Sequence, residues 1–329
     1  MGGTSRQRHA ATLPPDQYWC LLDDLPLHLI PAGSVWPASL ERREEMFLNP
    51  LAVIPPEGRI PNELAAHTAL LENFALQGKI AWVPQPETDG WLPFWLGPRL
   101  EKNVAAFASG NSLLASLAGE ERFVLSAAGL VMTQGQAEID REHRRAAITR
   151  AAEMFHRRGY APIRSLIHPF HVAALRRYFR YLIRRGMVYL GDEQSSRRYV
   201  AHNNSVARFF HRQIAKTVSM IVAEPVTPSY VYVASYLSGA ELKKHTDREQ
   251  CEFSVTLCLD FSPEPEKATP WPIRLDTSRG TVTVYQALGD GLVYRGTRLP
   301  HYRDALAQGR TSTSIFFHYV PEGYTGSLD

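Results

Sequence analysis

Apolar residues recur at helical spacing through the first two thirds of the chain and alternate with polar ones through the last third. The first sixty residues are broken by prolines in "TLPPDQYW", "LPLHLIPAG" and "NPLAVIPPEGRIP", which leaves room only for short elements such as a helix in "ERREEMFL". The stretch "NELAAHTALLENFALQG" has helical spacing, with Asn62 placed as its N-cap. A turn-rich aromatic run, "KIAWVPQPETDGWLPFWLGPRL", follows, and helical spacing resumes from Asn103 to Val131. From Ala137 to Gly186 the pattern predicts two amphipathic helices joined by an extended piece near Tyr160 to Leu166, with Gly159 stopping the first and Pro169 opening the second. A third helix, in "NNSVARFFHRQIAKTVSMIV", is capped by Asn203 or Asn204 and ends before Pro225. After Pro228 the period changes to two. Strands are predicted over 230–237, 252–261, 272–276, 281–287, 291–295 and 311–319, and short strands at such spacing argue a double-sheet jelly roll or barrel.

The chain has 329 residues, 44% of them hydrophobic, enough for one large or two ordinary domains. Its formal net charge of +3 forces neither polyanion binding nor repulsion. Twelve arginines fall between 141 and 185, but mixed with Ala, Leu and Tyr at helical period they describe a solvated helix face before a polyanion-binding one. Cys20, Cys251 and Cys258 have no zinc-like spacing, the N-terminus lacks the apolar core of a secretory signal, and no apolar run is long enough for a bilayer. A reducing, cytoplasmic setting is the expectation.

The candidate chemistry gathers in the last third. His245 and Asp247, in "KKHTDREQC", stand at i and i+2, so an extended backbone points both to one face; no other histidine of the twelve has Asp or Glu two residues on. With His301, in "GTRLPHYRDAL", they make two imidazoles and a carboxylate, the facial set that suits non-haem Fe(II) and leaves positions open. Arg310, Ser312 and Ser314 share one face of the strand that follows, where a guanidinium fork beside a hydroxyl suits a carboxylate. Tyr230, Tyr232 and Tyr236 share a strand face upstream; Tyr236 is a candidate to set its hydroxyl beside a metal-bound co-substrate, and aromatic core packing is the alternative for all three. Arg298 and Arg303 flank His301 and are candidates for an anionic substrate group, as is Tyr232 for substrate contact, with surface arginines as the plain alternative. Trp82, Trp91, Phe94 and Trp95 form either a recognition surface or, preferably, a staple between two parts of the molecule. His168 and His171, separated by a helix start, read as structural.

The stretch from about Tyr236 to Tyr319 resembles the Fe(II)/2-oxoglutarate-dependent dioxygenases, and within them the prolyl-4-hydroxylase-like group, through "YLSGAELKKHTD", "CEFSVTLCLDF", "GDGLVYRG", "PHYRDAL" and "RTSTSIFFHYV". The resemblance implies iron on His245, Asp247 and His301, the distal carboxylate of 2-oxoglutarate on Arg310 and Ser312, and O2 as co-substrate in hydroxylation of an unactivated C–H bond. The expected architecture is α+β: a mostly helical, Pro-rich domain of unknown role over 1–135, read from spacing alone, then the dioxygenase domain that the resemblance implies over 136–329, whose helices (138–222) brace a double-stranded β-helix, or jelly roll (228–321). The expected substrate is a peptide or protein side chain. A free amino acid or natural-product scaffold is the alternative, and a non-catalytic jelly-roll binding or sensing module is the reading from a different class. A nucleic acid is not an expected partner, because no second arginine follows Arg310 in its strand, and neither is a membrane, for want of a long apolar run; a homodimer is a possible self-association.

Overall fold

The structure of the chain, a computed structural model, describes residues 17–23, 46–85, 87–102, 119–133 and 135–329. Before residue 135 the described elements are strand β1 (Met46–Leu48), a 3-10 helix (Asn62–Leu71), strands β2 (Ile80–Gln85) and β3 (Gly90–Trp95), helix α1 (Gly119–Ala127) and strand β4 (Val131–Thr133). Among these residues the expectation of a mostly helical region is corrected in three places. The run from Lys79 is a β-hairpin, with Trp82 opposite Pro93 and Pro84 opposite Trp91. Met46–Leu48, placed in a helix by its spacing, pairs with β4 instead. The segment opened by Asn62 is 3-10 and kinks at His67, and Pro61, not Asn62, stands at its cap position with no side-chain hydrogen bond. Its buried residues are only Leu64, Leu70 and Leu71, so no stripe at i, i+3 and i+4 exists to hold an α-helix against the core.

Helix α2 (Gln136–Arg158) ends at Gly159, whose φ of 76° supplies the left-handed cap. Strand β5 (Tyr160–Ile163) leads to α3 (Pro169–Arg184), which Pro169 opens and His168 caps, its Nδ1 accepting the Phe170 N–H at 3.2 Å. Strands β6 (Tyr189–Leu190) and β7 (Arg198–His202) precede α4 (Ser205–Gln213), where Asn204 accepts the Ala207 N–H at 3.2 Å. The helix expected to run on to residue 222 breaks at Ile214, and α5 (Ala215–Val222) continues from there.

Eight more strands follow: β8 (Val226–Tyr236), β9 (Leu242–His245), β10 (Phe253–Ser262), β11 (Ile273–Thr277), β12 (Gly280–Val284), β13 (Gly291–Arg295), β14 (His301–Arg303) and β15 (Thr311–Pro321). The six expected strands are all present; β9 and β14 are additions. A seven-stranded sheet in the order β5-β13-β10-β15-β8-β7-β6 and a four-stranded sheet in the order β12-β11-β14-β9 result, every pairing antiparallel.

Alternation assigns the two faces of the large sheet different partners. Val231, Val233, Val255, Leu257, Val293, Ile315 and Phe317 join one apolar cluster with the helices and with Phe74, Trp82, Phe94 and Trp95. On the other face, Ala234, Tyr236, Cys258 and Phe316 pack with Trp271 and Leu306, while Leu292 and Tyr294 pack with Ile273 and Leu275 of the small sheet. The polar residues of that inner face, Ser254, Thr256, Ser312, Ser314 and His318, are buried where the small sheet covers it. No described helix is long and apolar enough to cross a membrane.

Candidate metal centre

Strands β9 and β14 bring together residues 56 positions apart. His301 lies directly opposite His245, with ring centroids 4.4 Å apart. Asp247 follows two residues beyond the end of β9, where its N–H donates to the Gly296 carbonyl at 2.9 Å and ties this turn to the end of β13. Only glycine fits at 296, because a Cβ there would stand 2.4 Å from both Asp247 Oδ2 and the Cys251 carbonyl oxygen.

Each imidazole is oriented by a backbone carbonyl: His245 Nδ1 lies 2.7 Å from Lys243 O, and His301 Nδ1 lies 3.0 Å from Leu299 O. A carbonyl only accepts, so in the neutral ring Nδ1 carries the proton and the Nε2 lone pair is left for a metal. Both Nε2 atoms lie near one carboxylate oxygen, Asp247 Oδ1, at 3.6 Å from His245 and 3.5 Å from His301. The other oxygen, Oδ2, accepts a 2.6 Å hydrogen bond from Ser254, whose hydroxyl also lies 3.0 Å from His318 Nδ1. The three donor atoms lie within 4.8 Å of one another.

Burial works against ionisation of Asp247, yet the two imidazoles overcome it and hold its carboxyl well below the usual range. His245 moves the other way: burial disfavours its charged form, but the Asp247 carboxylate raises its pKa. A carboxylate kept anionic between two imidazoles whose Nδ1 atoms face backbone carbonyls, with the remaining carboxylate oxygen already engaged, fits a divalent cation held on three protein donors once Nε2 gives up its proton. Asp247, Cys251 and His318 form a second close set. Burial pushes the Cys251 thiol up to about 12, and Sγ is engaged by the Tyr230 hydroxyl at 3.2 Å, so this set lacks a thiolate to offer.

The other expected residues lie on several sides of this centre. Tyr236 is fully buried, and its hydroxyl receives a 2.9 Å hydrogen bond from Arg198. Arg198 is ion-paired with Asp192 at 2.5 Å, and the Tyr232 hydroxyl donates to that same carboxylate at 2.5 Å. Ser312 is buried on the inner face between Tyr236 of β8 and Phe261 of β10. Arg310 is half-buried just before β15, its guanidinium 5.8 Å from the Phe261 ring centroid and its main chain held on both sides by the Ser238 hydroxyl. Arg298 is largely exposed and pairs with Glu252 at 3.4 Å. Arg303, by contrast, is 4% exposed and lies beneath the small sheet. Trp82, Phe94 and Trp95 are buried in the main core, as the staple reading expects, and Trp91 is half-buried. A cavity of about 450 Å³ beside Trp91, Arg144 and Gln213 is lined by none of the three metal-site residues.

Ser254, Gly296, Tyr294, His318 and Arg198 were not singled out from the sequence. The signal for Ser254 and His318 is a polar residue at an inward position of a strand that is otherwise apolar, "FSVTL" and "IFFHYV". Gly296 carries no such signal, because the close approach it permits is made by a residue 49 positions away.

No protein-family model and no curated protein matches the chain. Solved structures similar to it include the non-haem α-ketoglutarate-dependent epimerase SnoN from nogalamycin biosynthesis, 15% identical over 54% of this chain and 83% of that one, at a TM-score of 0.45. A Pseudomonas putida prolyl-4-hydroxylase is 14% identical over 54% of this chain and 100% of its own, at 0.42. A Trichoplax adhaerens prolyl hydroxylase in complex with a hypoxia inducible factor peptide fragment is 13% identical over 58% and 95%, at 0.47.

Proposed function

We propose that the chain is an Fe(II)- and 2-oxoglutarate-dependent oxygenase whose iron is held by His245, Asp247 and His301 at the open end of a double-stranded β-helix. The observation that carries the reading is the convergence of two Nε2 atoms, of rings oriented by backbone carbonyls, on one oxygen of a carboxylate whose other oxygen Ser254 already holds. Ferrous iron with a 2-oxo acid supplies, when bound, the oxidising power to attack an unactivated C–H bond with O2.

The chain's own part is to bind, orient and exclude water. Three protein donors leave coordination positions free for small molecules, and Ser254 fixes the carboxylate plane so that a single oxygen faces the metal. Tyr294, whose ring lies 4.8 Å from His301, and the apolar residues beside it wall the centre on the inner face. A dicarboxylic co-substrate also requires a cation for its distal end, and the sequence expectation assigns this to Arg310 with Ser312, beside Tyr236.

The substrate is read as a peptide or protein side chain, with a free amino acid or natural-product scaffold as the alternative. The first experiment is anaerobic titration of the full chain with Fe(II). One ion per chain is expected, and Asp247→Ala should largely abolish binding; stoichiometric, tight binding by that variant would sink the assignment. Incubation with Fe(II), 2-oxoglutarate and fractionated cell extract then separates the substrate classes. A one-oxygen mass gain on a polypeptide selects the first reading and a gain on a metabolite the second, whereas absence of succinate under every condition favours a non-catalytic module.

A further inference from the structure

The cavity of about 450 Å³ beside Trp91 lies on the helical side of the molecule, between the β2–β3 hairpin, α2, the turn that follows β5, and α4 with α5. Its apolar wall includes Leu92, Ile148, Ile163, Ile167, Phe210 and Ile214, all members of the cluster that the helices share with the large sheet. The metal centre, held by Ser254 on the inner face of that sheet, shares no residue with it. A volume of this size falls among small-molecule sites, which span about 300–1,000 Å³ and combine an apolar lining with a few polar groups.

The polar groups here have one prevailing sign. Helix α2 sends Asp140, Arg144, Ala147 and Ile148 to the cavity, at i, i+4, i+7 and i+8 of one helical face. Arg144 is half-buried and so departs from the solvated face expected of this arginine-rich stretch; burial pulls its pKa down, against the carboxylates of Glu87 and Asp140. Glu87 is itself shared, since it pairs with Arg141 at 3.2 Å. Arg150 and Arg164, both exposed, line the same cavity from α2 and from the turn after β5. Asp290, the carboxylate on which Arg164 acts, already accepts the N–H groups of Ser165 at 3.1 Å and Ala287 at 3.0 Å. Three guanidinium groups thus stand against one carboxylate in the lining. Gln85 adds a neutral group: its Oε1 is buried in the wall without a hydrogen-bond partner, and a side-chain amide can offer an occupant either an acceptor or a donor.

We propose that this cavity is a second binding site, for a small organic anion with an apolar body and a carboxylate head, the body against Trp91, Ile148 and Phe210 and the head among Arg144, Arg150 and Arg164. The assignment is independent of the oxygenase reading. Its walls come from the hairpin before residue 135 and from helices after it, so an occupant adds contacts between the two parts and stabilises the folded chain by mass action.

The test is calorimetric titration of the full-length protein with probes that share a linear ten-carbon chain and differ at the head: decanoate, decanol and decyltrimethylammonium. One decanoate per chain is expected, accompanied by a rise in Tm. Decanol should bind more weakly by roughly 10-fold, the scale of one charge-assisted hydrogen bond, and the ammonium more weakly still. Arg150→Gln combined with Arg164→Gln should bring decanoate down toward decanol, leaving decanol itself and the ligand-free melt as in wild type. Ala147→Trp fills the cavity and should abolish binding of both. Because the two arginines are exposed, the paired variant keeps the test open should Ala147→Trp fail to fold. Equal affinity for decanoate and decanol, no binding of decanoate, or full binding by a cooperatively folded Ala147→Trp would each overturn the site. Several decanoates per chain, unaltered by either variant, would mark adventitious surface binding and overturn it as well.

Discussion

Ser254 is the residue whose one oxygen atom sets the plane of the Asp247 carboxylate, since its hydroxyl is 2.6 Å from Oδ2 while the imidazoles face Oδ1. Ser254→Ala removes no ligand and little volume. Partners of this kind are typically worth about 10- to 100-fold in metal affinity, so the variant should lose roughly that much by competitive chelator titration while its circular dichroism stays that of wild type. Unchanged affinity would show that Gly296 and the backbone hold the carboxylate without it. At this scale the shared face of His245 and Asp247, the proposed metal donors, was legible because i, i+2 spacing on an extended chain is a local property. Ser254 and Gly296 were not, because what they do depends on β10 and β13 lying side by side, with Ser254 opposite Tyr294. The alternative of Arg303 as a surface arginine had the same origin: the three residues of β14 form too short a strand to show alternation.

At the scale of elements, β10 carries a bulge that decides where α3 docks. Cys258 pairs with Ser314 and Asp260 with Thr313, so Leu259 is the extra residue and Asp260 is turned from the inner face to the helix side. There it accepts from Arg176 at 3.0 Å and from both Nε and Nη2 of Arg180, at 2.5 and 2.7 Å. Arg176 is 4% exposed in its side chain and Arg180 44%, which predicts unequal consequences. Asp260→Ala takes a carboxylate from the buried Arg176 guanidinium, which also pairs with Glu264 at 2.6 Å, and should destabilise by about 3 kcal/mol. Arg180→Ala removes a largely solvated partner and should cost less than about 1 kcal/mol. Urea denaturation of the two variants checks this, and equal losses would mean that the bulge does not depend on the buried pair. Elements were legible where one pattern dominated, as in the strands after Pro228. The hairpin of β2 and β3 was hidden by Pro84 and Pro93, which normally argue against a strand. In a two-stranded ribbon the outer edge of each strand carries no full ladder, being bridged here at Trp82 and Trp95, so a proline is tolerated wherever the missing N–H would have faced outward.

The molecule as a whole is bound across residue 135 by contacts that no local pattern announces. The Tyr18 hydroxyl meets His171 Nδ1 at 2.5 Å, Phe74 and Trp82 pack on Phe209 at 5.0 and 6.5 Å between ring centroids, and Asn73 donates to the Ser205 hydroxyl at 2.6 Å. Phe94 lies 5.0 Å from the His171 ring, and burial among these groups holds that imidazole well below its ordinary pKa. A chain of residues 136–329 keeps His245, Asp247, His301, Arg303 and Arg310, yet strips the cover from α3 and α4, whose inward residues Phe170, Phe209 and Phe210 are at most 1% exposed in the whole chain. At about 1.5–3 kcal/mol for each large side chain removed from the core, loss of Phe74, Trp82, Phe94 and Trp95 amounts to a sizeable part of the roughly 5–15 kcal/mol that holds a typical protein folded. The shortened chain should therefore lose its cooperative unfolding transition and bind a hydrophobic dye, and its Fe(II) affinity should fall with its fold. A cooperative melt with wild-type iron binding would instead establish the C-terminal part as a unit that stands alone, and would return the N-terminal part to a role in meeting the substrate.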